Sequence, residues 1–127
     1  MNALNAALAG AREYPVHALR ADKRPATGRG FKDATRDPDE LVRQFAAGAE
    51  LVGVPTGEAS GLLVFDFDPD GLAWLEAHRR ELPATREHHT RRGRQLVFRY
   101  PHGRRVGCSA GKVAPGVDVR GAGGYVV

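Results

Sequence analysis

The sequence predicts a mixed α/β fold, and three observations support this prediction. Apolar residues recur at helical spacing in residues 4–11 near the start of the chain. Short apolar and aromatic runs typical of strands recur later, as in residues 62–67 and 95–100. The chain has 127 residues, 42% hydrophobic and 27% charged, which suits a single domain over residues 1–127.

Three helices and seven strands are predicted along the chain. The helices cover residues 2–13, a segment beginning at 38, and residues 71–82. The strands cover residues 16–19, 50–57, 62–67, 85–90, 95–100, 116–121 and 125–127. Asp37 is expected to cap the second helix, because its carboxylate accepts hydrogen bonds from free backbone amides. We expect Val42 to lie on the buried face of that helix and His17 to face solvent.

Two glycine-containing segments allow more than one interpretation. Residues 50–57 form either a strand whose glycine-flanked turn lets a ligand approach, or a plain hairpin into the next strand. Residues 23–35 are rich in glycine and cations without an apolar pattern, which favours a binding loop over a mobile one. Residues 101–115 are predicted to be a loop. A strand that begins at Tyr125 leads us to expect that the sequence continues beyond residue 127.

Two carboxylates stand at the end of an apolar segment that is predicted to be a strand. Residues 62–67 are apolar apart from Asp66, and Asp68 follows directly. Alternate side chains share a face of a strand, so these two acids would lie about 7 Å apart on one face. A third acid, Asp118, stands between two valines in a later strand. Acids gathered in this way repel each other unless a cation lies between them, so the pattern predicts Mg²⁺ or Mn²⁺ at Asp66, Asp68 and Asp118.

Other interpretations of the paired acids fit less well. A strand-end acid followed by a turn is one alternative. A dehalogenase-type phosphatase needs Gly-Thr after its second acid, where this chain has Pro69 and Asp70. A calcium-binding loop needs a glutamate at its twelfth position, which is Ala77 here.

The positive charge is concentrated in the second half of the chain. The formal net charge is +4, and residues 86–105 contain seven arginines and a single acid, Glu87. A patch of this kind attracts phosphates, although solubilising arginines on a hairpin are the alternative.

Composition and termini exclude several classes of protein. Cys108 is the only cysteine, so neither an internal disulfide nor a thiolate-rich zinc site is available. No apolar stretch reaches the roughly 18 residues of a membrane span, and the first residues lack the basic start of a secretory signal. We expect a cytoplasmic protein with no membrane partner.

Several motifs in order resemble one family. They are Lys-Arg-Pro at 23–25, Gly-Phe-Lys-Asp-Ala-Thr at 30–35, Gly-Val-Pro-Thr-Gly at 53–57, Asp-Phe-Asp at 66–68, Arg-Gly-Arg-Gln-Leu-Val-Phe at 92–98 and Gly-Val-Asp-Val-Arg-Gly at 116–121. Together with the ending Gly-Gly-Tyr-Val-Val, this series resembles the bifunctional DNA primase/polymerase N-terminal domain of the archaeo-eukaryotic primase superfamily. The family occurs in plasmid, phage and prophage replication proteins, and the resemblance spans almost the whole chain.

The resemblance implies an α+β fold with a mixed or antiparallel sheet, an RRM-like palm and flanking helices. It implies nucleotidyl transfer from nucleoside triphosphates on single-stranded or primed DNA, with a helicase domain or protein as a partner. By position, Asp66, Asp68 and Asp118 match the metal-binding catalytic acids. The nucleotide's phosphates would meet Lys23, Arg24, Arg94 and Gln95, and the template backbone would meet Arg91, Arg92 and Arg99.

One position departs from the family. The family's middle motif ends in a histidine that contacts the nucleotide's phosphates, and the matching residue here is Gln95. A glutamine amide can donate to a phosphate oxygen but cannot become cationic. The sequence therefore leaves two alternatives, an active enzyme and a non-catalytic binding remnant of the primase fold. His88 and His89 are either substitutes for the missing imidazole or, as is more common in a solvated strand, plain surface residues.

Overall fold

The structure is a computed structural model that describes residues 2–127, and these residues form two compact units. Unit 1 contains the chain up to residue 55 together with residues 125–127, and unit 2 contains residues 56–124. Both units combine helix with antiparallel sheet, which confirms the predicted α+β fold.

Unit 1 packs two helices on a three-stranded antiparallel sheet in the order β1-β2-β8. Its elements are α1 (Ala3–Gly10), β1 (His17–Leu19), α2 (Pro38–Phe45), β2 (Leu51–Pro55) and β8 (Tyr125–Val126). Asp37 caps α2 as predicted, with its carboxylate accepting from the Asp39 amide at 3.0 Å, an interaction that stabilises a helix by about 1 kcal/mol. The buried cluster contains Ala7, Ala11, Val16, Ala18, Leu41 and Phe45.

Unit 2 is a five-stranded antiparallel sheet with one helix on one of its faces. The strand order is β4-β5-β3-β7-β6, so β3 occupies the centre. Its elements are β3 (Leu62–Phe67), α3 (Leu72–His78), β4 (Arg86–His89), β5 (Arg94–Arg99), β6 (Ser109–Ala114) and β7 (Val117–Arg120). Phe67, Leu96 and Val117 pack against Leu75 of α3, and we call this side the helix face. The opposite side, which carries Asp66, is the Asp66 face.

The structure corrects several boundaries. The first helix ends at Gly10 and the third at His78, which a 3₁₀ turn over Arg79–Glu81 follows. Residues 101–115 are not all loop, because β6 pairs with β7 along its edge. Ladder hydrogen bonds hold β6 although most of its side chains are exposed, so it lacks the apolar alternation of a strand. Gly57, at the end of segment 50–57, forms an isolated antiparallel bridge with Leu62 as a hairpin turn would, whereas β2 itself pairs with β1 and β8 in the other sheet.

Two side chains are placed on the wrong side by the sequence pattern. Val42 is 49% exposed, because Leu41 and Phe45 alone supply the buried face of the short helix α2. His17 is fully buried, although we expected it to face solvent. Its ring lies against Gly53 on β2, where a side chain would collide with the imidazole, and edge-on to Tyr125 with ring centroids 5.3 Å apart.

No helix among residues 2–127 is both long enough and apolar enough to cross a lipid bilayer.

We predict that His17 makes the fold sensitive to acid. Burial lowers the pKa of His17 below its ordinary 6.5, although the Ala18 backbone and, to a smaller extent, the charge of Asp33 oppose this. The unfolded chain therefore binds more protons than the folded one below about pH 6.5, so the free energy of unfolding falls there by up to about 1.4 kcal/mol per pH unit. Neither ring nitrogen has a hydrogen-bond partner among the described residues, so His17→Leu sacrifices no such bond.

Urea unfolding at pH 5, 6 and 7 checks this prediction. His17→Leu should reduce the dependence of stability on pH relative to wild type. Parallel pH profiles for wild type and His17→Leu would contradict the prediction.

Candidate functional site

A row of polar side chains crosses the Asp66 face. Asp66 of β3 pairs with Gln95 of β5 on one side and with Asp118 of β7 on the other. The row extends to His88, which pairs with Gln95, and to Ala110, which pairs with Asp118. Residues directly opposite in an antiparallel sheet share a face, with Cβ atoms about 4.5 to 5.5 Å apart. Two of the three predicted acids are therefore immediate neighbours, and the glutamine and a histidine continue their row.

Asp118 is held in place by its neighbours. Its Oδ1 accepts from the Gly111 amide at 3.2 Å, and its Oδ2 accepts from the Arg120 guanidinium at 3.4 Å. Asp118 and Arg120 are both about one-third exposed, so water only partly screens their attraction. Like charges directly opposite in a sheet destabilise it, so the Arg120 cation offsets part of the repulsion between Asp118 and Asp66.

Asp68 caps the turn that follows β3. Its Oδ1 accepts from the amides of Asp70 at 2.9 Å and Gly71 at 3.2 Å. Its own amide donates to the Gly116 carbonyl at 3.0 Å, which joins the end of β3 to the start of β7. A side chain at Gly116 would collide with Asp68 Oδ1, and one at Gly71 would collide with the Gly116 carbonyl. These glycines therefore allow two chain segments to meet closely around the carboxylate.

The donors suit a hard cation in chemistry, although the three acids do not form one cluster. Within residues 2–127, no three or more His, Cys, Asp or Glu side chains are grouped closely enough to hold a metal ion together. The pair formed by Asp66 and Asp118 supplies carboxylate oxygens, which Mg²⁺ and Mn²⁺ prefer. Asp68 contributes Oδ1 to its cap, so Oδ2 is the oxygen that it could offer.

Gln95 and Arg94 lie on opposite faces of the sheet. Gln95 belongs to the Asp66 row, whereas Arg94 pairs with Phe67 on the helix face. Arg94 donates to the Gly93 carbonyl at 2.8 Å and lies 3.8 Å from Glu87. The two side chains therefore do not line one surface, although the sequence predicts that both contact the nucleotide's phosphates. Alternation separates the two candidate histidines in the same way, with His88 beside Gln95 and His89 opposite Arg94.

The predicted arginine patch is divided. Arg91 and Arg92 are exposed in the turn between β4 and β5, and Arg99 is exposed at the far end of β5. The six residues of β5 span about 17 Å from Arg94 to Arg99. These cations are therefore spread along the sheet.

An ion-pair network neutralises part of the charge on the helix face. Arg79 of the turn after α3 donates to Glu87 of β4 at 3.1 Å. Hydrogen bonding to Arg79 lowers the pKa of Glu87, and the charge of Arg94 acts in the same direction. This carboxylate therefore stays ionised and counters two of the nearby arginines.

Lys23 and Arg24 belong to unit 1, whereas the three acids belong to unit 2. Lys23 occupies a left-handed conformation with φ of 70°, and its carbonyl accepts from the Tyr125 hydroxyl at 2.8 Å. Both side chains are exposed, and Arg24 lies 3.9 Å from Asp22. The tight turn thus presents two cations to solvent.

Sequence reasoning overlooked Arg120. The alternation of Val117, Asp118, Val119 and Arg120 was the signal that could have identified it, because residues two apart in a strand share a face. The sequence shows a glycine at 116 but not why it is needed. A side chain there would collide with Asp68, which lies on a distant segment of the chain.

The family to which the chain belongs follows from a family model that matches nearly all of its residues. The model for the bifunctional DNA primase/polymerase N-terminal domain matches residues 5–127. The chain belongs to this primase/polymerase family. No curated protein matches the chain. Membership implies a domain that binds DNA and nucleotides in replication, and it confirms the resemblance seen in the sequence.

We predict that Gly116→Ala destabilises the primase/polymerase domain more than Gly123→Ala does. Both glycines have positive φ, 76° and 83°, so alanine is strained at each. Only Gly116 also lacks space, because a Cβ there would meet Asp68 Oδ1, whereas a Cβ at Gly123 meets nothing within 4 Å. The excess loss should be about 1 to 3 kcal/mol in urea unfolding. Equal losses in the two variants would show that Asp68 is not held by this contact.

Proposed function

We propose that the domain catalyses nucleotidyl transfer on a DNA template with Mg²⁺ or Mn²⁺. The observation that carries the proposal is the register that sets Asp66 directly beside Asp118, with Gln95 and His88 in the same row. Family membership supports DNA and nucleotides as the ligands. The setting that we propose is plasmid, phage or prophage replication in the cytoplasm, with a helicase domain or protein as a partner.

Asp66 and Asp118 would hold the cation as a pair, whereas Asp68 is not grouped with them and caps the following turn. A bound divalent cation would lower the pKa of the primer 3′-hydroxyl and neutralise the triphosphate. The Gly111 amide and Arg120 orient Asp118, so its oxygens are presented in a fixed direction. Carboxylates that cannot turn away from their ligand lose little entropy on binding.

Phosphate contacts would come from several places. The Gln95 amide can donate to a phosphate oxygen, and His88 lies directly opposite it to supply an imidazole. Arg94 lies on the opposite face of the sheet, so it is not proposed as a ligand of the same phosphates. Lys23 and Arg24 are exposed cations of unit 1, and we propose them as phosphate contacts of that unit alone. The template backbone would meet cations at the hairpin tip and on β5, namely Arg91, Arg92 and Arg99.

A non-catalytic nucleotide- or DNA-binding domain is the second candidate, and Gln95 favours it. A neutral amide stabilises accumulating negative charge less than an imidazolium does, because charge-assisted hydrogen bonds are roughly twice as strong as neutral ones. Metal-dependent incorporation of labelled nucleotide on a primed template distinguishes the two candidates. Incorporation that disappears in Asp118→Asn supports the enzyme, and nucleotide binding without incorporation supports the second candidate.

We predict that Mn²⁺ binding requires the neighbouring carboxylates. Calorimetric titration of Asp66→Asn/Asp118→Asn should show at least a tenfold loss of affinity, because both charged donors become neutral amides. Asp70→Asn is the matched control, since Asp70 is an exposed acid next to the site whose carboxylate we do not assign as a ligand. Unaltered Mn²⁺ affinity in the double variant would refute the metal assignment.

We predict that Gln95→His increases nucleotide incorporation by roughly 5- to 30-fold, the effect of about 1 to 2 kcal/mol in the barrier. Gln95 is only half-buried, so the melting temperature should change by a few degrees at most. His88→Ala provides a test of the neighbouring imidazole. It should lower incorporation in the wild type and have a smaller effect once residue 95 is His. If neither variant changes incorporation, this row does not contact the nucleotide.

A further inference from the structure

A pocket opens at the end of the five-stranded sheet away from Asp68. Its volume is about 720 Å³, within the range of roughly 300 to 1,000 Å³ typical of small-molecule sites. It lies where Leu62 of β3 pairs with Arg99 of β5, and the following residues Tyr100, Pro101 and His102 line its wall. None of the metal or phosphate contacts proposed above explains an aromatic ring and an imidazole at this place.

Tyr100 is fixed from both ends. Its amide donates to the Gly61 carbonyl at 2.7 Å. Its hydroxyl accepts from the Val106 amide at 2.8 Å and donates to the Val106 carbonyl at 3.3 Å. The orientation of the ring is therefore fixed before any ligand binds. Stacking of a ligand on the ring would cause little further loss of side-chain entropy.

The charge in the pocket is positive on one side. Arg99 is exposed, and no ion pair within residues 2–127 includes it. His102 is exposed beside it, so a second donor is available. Glu58 is the acid of the lining and would repel a phosphate from its own side. An anion would therefore lie against Arg99, and a flat apolar group would lie against Tyr100 and Pro101.

The entrance leaves room for a chain to pass. Gly61 and Gly103 border the pocket with φ of 75° and 68°, and a Cβ at either position would meet nothing within 4 Å. Arg99 shares the Asp66 face, because its partner Leu62 lies four residues before Asp66 on the same strand. The separation along the strand is about 13 Å. A single-stranded DNA segment that passes Asp66 and Asp118 could therefore also reach the pocket.

We propose that this pocket binds one nucleotide of single-stranded DNA, with the base stacked on Tyr100 and the adjoining phosphate on Arg99. The identity of the ligand rests on the proposed function, but binding here requires neither metal nor nucleoside triphosphate. The pocket is thus a second contact for the strand, separate from the row of Asp66.

Fluorescence anisotropy with labelled dT12 in EDTA tests the proposal. Tyr100→Leu removes the ring and should weaken binding at least about fivefold, whereas Tyr100→Phe keeps the ring and should remain within about twofold of wild type. Arg99→Ala should reduce the slope of log affinity against log salt by about 0.7. Arg80→Ala removes the same charge from the exposed turn after α3 and should leave the slope unchanged.

Photocross-linking of unaltered protein supplies a measurement that does not depend on folding of the variants. Oligonucleotides with 5-iodouracil should cross-link to the peptide that contains Tyr100. Cross-links found only elsewhere, or equal dT12 affinity of wild type and a folded Tyr100→Leu protein, would overturn the proposal. Cross-linking at Tyr100 without any primer extension would reject the polymerase function alone, because the cross-link requires no catalysis.

Discussion

The pairing of β3 with both of its neighbours is the constraint on which the candidate site depends. Side chains alternate along a strand, so a slip of one residue in β7 would move Asp118 to the helix face and bring Val117 to the Asp66 face. Val117 and Phe67 are fully buried on the helix face. An unpaired carboxylate moved to the position of Val117 would lower the free energy of unfolding by several kcal/mol. Apolar packing on one face therefore determines where the acids stand on the other.

Much of the secondary structure could be predicted because local signals and tertiary structure agree. The run Leu62–Phe67 is a strand, Asp37 caps α2, and the acids of β3 and β7 face each other. Strand order could not be predicted, since the pairing of β3 with β7 joins segments about fifty residues apart. The strand β6 escaped detection because its stability comes from backbone pairing with β7 rather than from buried side chains. His17 was misjudged because the space that buries it exists only where Gly53 lies opposite.

The site also shows why composition alone misleads about charge. The arginines of residues 86–105 form one patch in the sequence, but alternation and strand length distribute them over two faces and two ends of the sheet. Glu87 counters Arg79 and Arg94 on the helix face, while Arg120, outside that segment, lies beside Asp118. The number of cations near the acids therefore follows from register rather than from local density.

The irregular strand β6 has a consequence for association between molecules. Its register with β7 shifts between Ala110 and Ala114, and Gly111 within it has φ of 67°. A bulged outer strand cannot offer an even series of amides and carbonyls to a second molecule, and β4 at the other margin carries Arg86 and histidines. Both margins of this sheet are thereby poor templates for the addition of a strand from a second molecule, so this sheet is protected from edge-to-edge aggregation.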